Sequence, residues 1–302
     1  MSINFESLKL NREECLDAIE KFNLNRQTVS SFVKPYFLTQ EDYKTATSNI
    51  MSIDFSKTIT FPPTMSNMLE STLEIMGTIL NEDLSMFKDV PIERVKAPTP
   101  MFAQTSRYVG SDSSIQINKI ILPHFETALT SCVLAHELTH SLMDCCKTPA
   151  SLNLFHNEIL PIFMEKAVAK ELEQKQSFPV TSHLQFWRLL STKEALKGYQ
   201  SDSETLAHFN KVKNTLGVEE DLLAYYEYRL QSHLMHTPSE LLAEVLYERY
   251  LTKPDYVMKN IHSVLNGNKT VEDLLKQGSI NFTSGAVPKV LCKNIGKIST
   301  IC

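Results

Sequence analysis

The strongest chemical signal in this chain is His136-Glu137-Leu138-Thr139-His140, a His-Glu-x-x-His pattern inside a stretch, Thr127 to Asp144, that reads as an amphipathic helix. Four residues advance a helix by about 400°, so His136 and His140 stand one turn apart on one face, where two imidazoles can grip one metal ion. Glu137 projects beside them. It is too close along the helix to serve as the third ligand, but it can take a proton from an activated water and deliver it to a leaving amine. That is the chemistry of metal-assisted hydrolysis, with one Zn²⁺ as the expected ion. The bland alternative is a pair of surface or capping histidines.

A third ligand has to come from another element, and Glu158 is the first choice. A turn through Lys147-Thr148-Pro149 allows a second helix, carrying Leu154 to Lys166, to pack back alongside the first. Two histidines and a glutamate leave one coordination position for water or a substrate carbonyl. His156 and Glu165 are rivals for the same role. Asp144 is not, because it lies about 12 Å along the helix axis from His136. The longer metzincin motif needs a glycine and a third histidine where Met143 and Cys146 stand. Glu165, two turns beyond Glu158 on the same face, is expected to orient a ligating histidine through the ring nitrogen that points away from the metal.

The elements that would position these residues are mostly helices. Only 8 of 302 residues are glycine, while Leu, Glu, Lys and Ala abound, which favours helix over turn-rich β architecture. The predicted fold is mainly α with a small β-sheet, in one domain over 1–302: helices over 1–93, a small sheet over 94–123, and a helical metal-binding core over 124–302. Asn11 and Thr39 are predicted helix caps, as are Thr237 with Pro238 and Thr270 with Asp273, and Gly278 is suited to close the last of these helices. The proline-punctuated region after Val90 is expected to hold short strands at Met101-Phe102-Ala103 and Ser114-Ile115-Gln116-Ile117. Met51, Met65, Met68 and Met76 are expected in the core or lining a cleft.

Charge and cysteine usage exclude other classes. A net charge of -5, without a long basic run, leaves no cation excess for a phosphate backbone, so nucleic acid is not an expected partner. No apolar run approaches the roughly 20 residues of a membrane span, and the first residues lack a signal-peptide pattern. The expected location is cytoplasmic. Cys15, Cys132, Cys145, Cys146, Cys292 and Cys302 are scattered and read as reduced thiols.

Beyond the metal motif, Phe155-x-x-Glu158-x-x-Pro161-x-Phe163-x-Glu165 resembles the third-ligand helix of the M3 peptidases, the oligoendopeptidase F and thimet oligopeptidase group. Leu223-Ala224-Tyr225-Tyr226-Glu227-Tyr228 is similar to that family's tyrosine-rich helix, and the segment from Tyr256 through Asn260, Leu265 and Gly267 to Ile280 to its C-terminal part. The resemblance covers about Arg94 to Phe282 in pieces. It implies a zincin-like, zinc-dependent peptidase acting on peptides, with Tyr228, then Tyr225, as candidates to stabilise the oxyanion. It also makes the strand at Ile115, Gln116 and Ile117 a candidate edge for pairing with extended substrate.

Thr139 departs from the family's glycine and permits comparison with thermolysin-like enzymes. Those place an aspartate where Ile162 stands here. Thr215 to Asp221 lacks the histidine and tyrosine usual before the tyrosine segment. With 135 residues ahead of His136, the resemblance implies a reduced version of the family, the helices from Asn11 to Phe87 opposing a more open cleft. Two other readings stay open: a narrow-specificity regulatory protease that cuts one protein partner, and a catalytically silent binding protein that keeps the fold.

Overall fold

The structure, a computed structural model, describes residues 62, 64–96, 101, 103–109, 115–146, 156–199, 239–240 and 242–276. In chain order the helices are α1 (Met68–Leu80), α2 (Ala128–Cys145), α3 (His156–Gln176), α4 (Val180–Tyr199), α5 (242–252), α6 (Pro254–Leu265) and α7 (Val271–Lys276). The strands are β1 (Ile92–Val95), β2 (Gln104–Val109) and β3 (Ile115–Pro123). The described part is thus mainly helical with one small sheet, as the composition predicts. The chain divides into two compact units, and all of these elements belong to the one formed by Asp54–Arg188 and Ser239–Cys302, except 189–199 of α4. Among the described residues no helix is long and apolar enough to cross a membrane.

The metal-motif helix α2 is the centre of this unit. Its start is fixed by Thr127, whose backbone is extended and whose side-chain Oγ1 accepts the Thr130 N–H, while Thr130 Oγ1 donates to the Phe125 carbonyl at 2.6 Å. From Ala128 to Thr139 every residue is buried. The helix is therefore not the amphipathic surface element that periodicity predicts, but one enclosed between sheet and helices. Its polar residues are tolerated because each is bonded: Ser131 Oγ to Thr72 Oγ1 of α1 at 2.6 Å, Thr139 Oγ1 to the Ala135 carbonyl, Ser141 Oγ to the Glu137 carbonyl.

The helices around it carry the apolar mass. In α1, Met68, Leu73, Ile75, Met76 and Leu80 form one buried stripe, and with Met65 this puts three of the four singled-out methionines in the core; Met51 lies outside the described residues. In α3, Ile159, Ile162, Phe163, Val168 and Leu172 are buried, each large side chain contributing roughly 1.5–3 kcal/mol by leaving water. Thr270 caps α7 as the sequence predicts: its hydroxyl accepts the Asp273 N–H at 3.0 Å and the Asp273 carboxylate accepts the Thr270 N–H at 3.0 Å.

The sheet has the order β1-β3-β2, with β3 parallel to β1 and antiparallel to β2. The second strand begins at Gln104 rather than over Met101-Phe102-Ala103, where Met101 sits in a turn; the β-branched and aromatic run Thr105 to Val109 suits a strand better than the segment just after Pro100. The stretch Ile115-Gln116-Ile117 does form a strand, the first part of β3, paired with Val109, Tyr108 and Arg107 of β2, while β1 pairs only with Ile120 to Pro123. Among the described residues the antiparallel edge is β2. Alternation sorts the faces: Ile120 and Leu122 are fully buried, while Lys119 points the other way and is paired with Glu93 of β1.

The predicted caps at Asn11, Thr39 and Thr237, the closing Gly278, the helices up to residue 61, and Cys15, Cys292 and Cys302 lie outside the described residues. Cys132 is a buried free thiol, and Cys145 and Cys146 are exposed ones at the end of α2.

Candidate metal centre

Helix α3 packs against α2, and its first turn carries Glu158 to the face that holds the two histidines. Glu158 Oε2 lies 3.2 Å from His136 Nε2 and 3.4 Å from His140 Nε2. The two imidazoles stand edge to face with centroids 4.9 Å apart. One donor atom from each of the three residues falls within 4.8 Å of the others, so this trio could hold a metal ion. Of Glu158 and Glu165, Glu158 is the one brought to the histidines, while Glu165 lies two turns further along α3; the side chain of His156 lies outside the described ones.

Glu165 is fully buried and reaches His136 by way of an arginine that sequence reasoning did not single out. Arg188, on α4, bonds Glu165 Oε2 through Nε at 2.7 Å and also through Nη2, and the same Nη2 faces His136 Nδ1 at 3.3 Å. Glu240, at the start of α5, approaches Arg188 Nε at 3.6 Å. The outward ring nitrogen of His136 thus meets a carboxylate–guanidinium pair instead of the carboxylate alone. Beside it Lys166 is buried on Glu244 and on Gln185 Oε1, the latter at 3.0 Å. No motif in the sequence marks Arg188, and Glu240 stands out there only as the capping-box glutamate after Thr237; both are distant in sequence from Glu165 and meet it through helix packing.

Electrostatics of the site follow from burial. Burial lowers His136 to about 3, against the opposing pull of Glu158, so its imidazole is neutral and has a lone pair to offer a metal. Burial pushes Glu165 up to about 7 despite Arg188, and raises Glu240 in the same way. The His136 shift carries a stability consequence with a definite sign. Below the ordinary histidine value of 6.5 the unfolded chain binds a proton that the folded chain refuses, so this contribution to stability is full above 6.5 and falls as pH drops toward 3. The metal-free protein is expected to lose about 2 kcal/mol from this group between pH 7 and pH 5. Thermal melts of wild type and His136→Asn across that range test it, and parallel pH slopes would refute the assignment.

Glu137 sits on α2 beside the trio, 8% exposed, and accepts a hydrogen bond from Thr105 Oγ1 of β2 at 2.5 Å. Thr105 is a second residue that the sequence reading missed. Tyr225 and Tyr228, the oxyanion candidates, lie outside the described residues, and so does the tyrosine-rich segment. No protein-family model matches the chain, and neither does any curated protein or solved structure.

Proposed function

We propose that the chain is a zinc-dependent metallopeptidase with a zincin-like catalytic core, similar to the M3 peptidases in reduced form, that hydrolyses peptide bonds in oligopeptides. The observation that carries this reading is the convergence of His136 Nε2, His140 Nε2 and Glu158 Oε2. Donors held about 2.0–2.2 Å from one zinc ion in tetrahedral geometry stand about 3.4 Å apart, and the two separations to Glu158 Oε2 are 3.2 and 3.4 Å. The donor set, two imidazoles and a carboxylate, suits zinc and leaves one coordination position for a water.

Charge supports the same ion. Around Arg188 three carboxylates, Glu158, Glu165 and Glu240, face one guanidinium, an excess of two negative charges that a divalent cation offsets.

Zinc, when bound, polarises the scissile carbonyl and makes water acidic enough to give up a proton near neutral pH. Glu137 takes that proton as the water attacks and returns it to the leaving amine. An extended peptide could pair along the outer edge of β2 or beside Ile115-Gln116-Ile117, which among the described residues are paired on the β2 side only. Digestion of a mixed peptide pool tests the proposal. Purified protein is expected to contain about one zinc per chain, to cleave peptides, to lose activity to a chelator and to regain it with added zinc. Absence of zinc from freshly purified protein, or cleavage indifferent to the chelator, would sink it.

A further inference from the structure

Glu137 and Thr105 come from elements that have no sequence relation, and the sheet explains why they meet. Thr105 is in register with Ile120 of β3, and directly opposite residues of an antiparallel pair share one face. Ile120 and Leu122 are fully buried, so Thr105 belongs to the face turned to α2. One step further the ladder jumps: Ser106 pairs with Lys119 but Arg107 with Ile117, which leaves Asn118 as the extra residue of a bulge. Bulges bend and twist a strand locally and re-aim its side chains, and this one lies next to the residue that reaches the base.

The bond itself is of the strong kind. A hydroxyl donating to an ionised carboxylate typically spans about 2.5–2.7 Å, and Thr105 Oγ1 lies 2.5 Å from Glu137 Oε2. A glutamate on a helix has three rotatable bonds with which to leave its working position. A threonine is β-branched and stiff, and it is held on a hydrogen-bonded strand. Tying one carboxylate oxygen to such a residue fixes the plane of the group and aims the other oxygen.

We infer that Thr105 is the positioning residue of Glu137, holding its carboxylate in the orientation that proton transfer requires from the edge of the sheet. The inference rests on the peptidase reading, and it assigns to β2 a part in the chemical step as well as in pairing with substrate.

The test uses the full zinc-loaded chain. Thr105→Val keeps the branched shape and removes the hydroxyl, and Thr105→Ser keeps the hydroxyl. With a peptide that wild type cleaves, Thr105→Val is expected to lower kcat by roughly 10–100-fold, with KM within about threefold and zinc content unchanged, because an interaction needed only during proton transfer is lost. Thr105→Ser is expected to return kcat to within about threefold of wild type. A structural role alone would not produce that split or that rescue. Infrared difference spectra provide a readout that needs no turnover: the carboxylate band absent from Glu137→Gln should shift in Thr105→Val and stay in place in Thr105→Ser. A Thr105→Val protein with wild-type kcat, or with an unmoved Glu137 band, overturns the inference. If wild type cleaves no peptide but the band shifts as expected, the tether stands and the peptidase reading falls.

Discussion

Replacing Glu137 by glutamine is expected to reduce peptide hydrolysis by about 10²–10⁴-fold while zinc content stays at the wild-type level. Glutamine has the same shape and length, and its carbonyl oxygen can still accept the Thr105 hydroxyl, which now donates at 2.5 Å to Glu137 Oε2. Its place on the buried helix α2 is therefore kept, and the trio His136, His140 and Glu158 is left intact. What disappears is the only property the mechanism asks of position 137, a basic oxygen that takes and returns a proton. The comparison is sharp because it separates binding from chemistry: the variant should hold metal and peptide and turn over neither. Equal cleavage by the two proteins would remove Glu137 from the mechanism. Loss of zinc together with activity would instead assign it to the metal.

Arg188→Met is expected to cost about 3–5 kcal/mol of stability, the usual consequence of removing one partner from a buried ionic group. The guanidinium is the counter-charge for Glu165, which has no exposure to solvent, and it faces Glu240, whose side chain is 7% exposed. Methionine fills much of the volume and compensates neither carboxylate. A fall in Tm of roughly 10 °C follows for a unit of this size. The loss should be smaller at pH 5 than at pH 8, since a protonated carboxyl needs no counter-charge and burial already pushes Glu165 up to about 7. Adding Glu165→Leu and Glu240→Leu should recover most of the stability, because a well-packed apolar cluster replaces an ionic one at little cost. An equal loss of Tm at both pH values would mean that Arg188 acts through packing and not through charge.

Some of this site was legible in the residues because it obeys local geometry. The spacing of His136 and His140 puts two imidazoles on one face of any helix, whatever surrounds it. Glu158 was reachable because Pro149 signals an end to the motif helix soon after Cys145, and the next helix begins at His156 with Glu158 in its first turn. Thr270 and Asp273 declared their cap because capping depends on residues three apart. Where the reading rested on solvent exposure it went astray. The apolar and polar alternation of α2 suggested a surface helix, yet its hydroxyls are buried and bonded to backbone and to Thr72, so polarity in sequence did not mean contact with water. Ile115-Gln116-Ile117 has the composition of a strand and forms one, but which of its sides is paired depends on how far β1 reaches along β3, and composition carries no signal for that.

By itself, then, the sequence determined which chemistry could be available to this protein: two histidines one helical turn apart that could hold a metal ion, a glutamate beside them, a carboxylate that could complete the set, and a mainly helical chain to carry them. Those are properties of a few residues within one or two turns of helix. Only the tertiary structure decided what stands around that chemistry. Arg188 and Glu240 approach Glu165 from helices far apart in the chain, and Thr105 reaches Glu137 because a strand register and a bulge place it on the buried face of the sheet. Such contacts join side chains whose separation along the chain carries no period. They exist only once the hydrophobic faces of the helices and the sheet have been buried against one another.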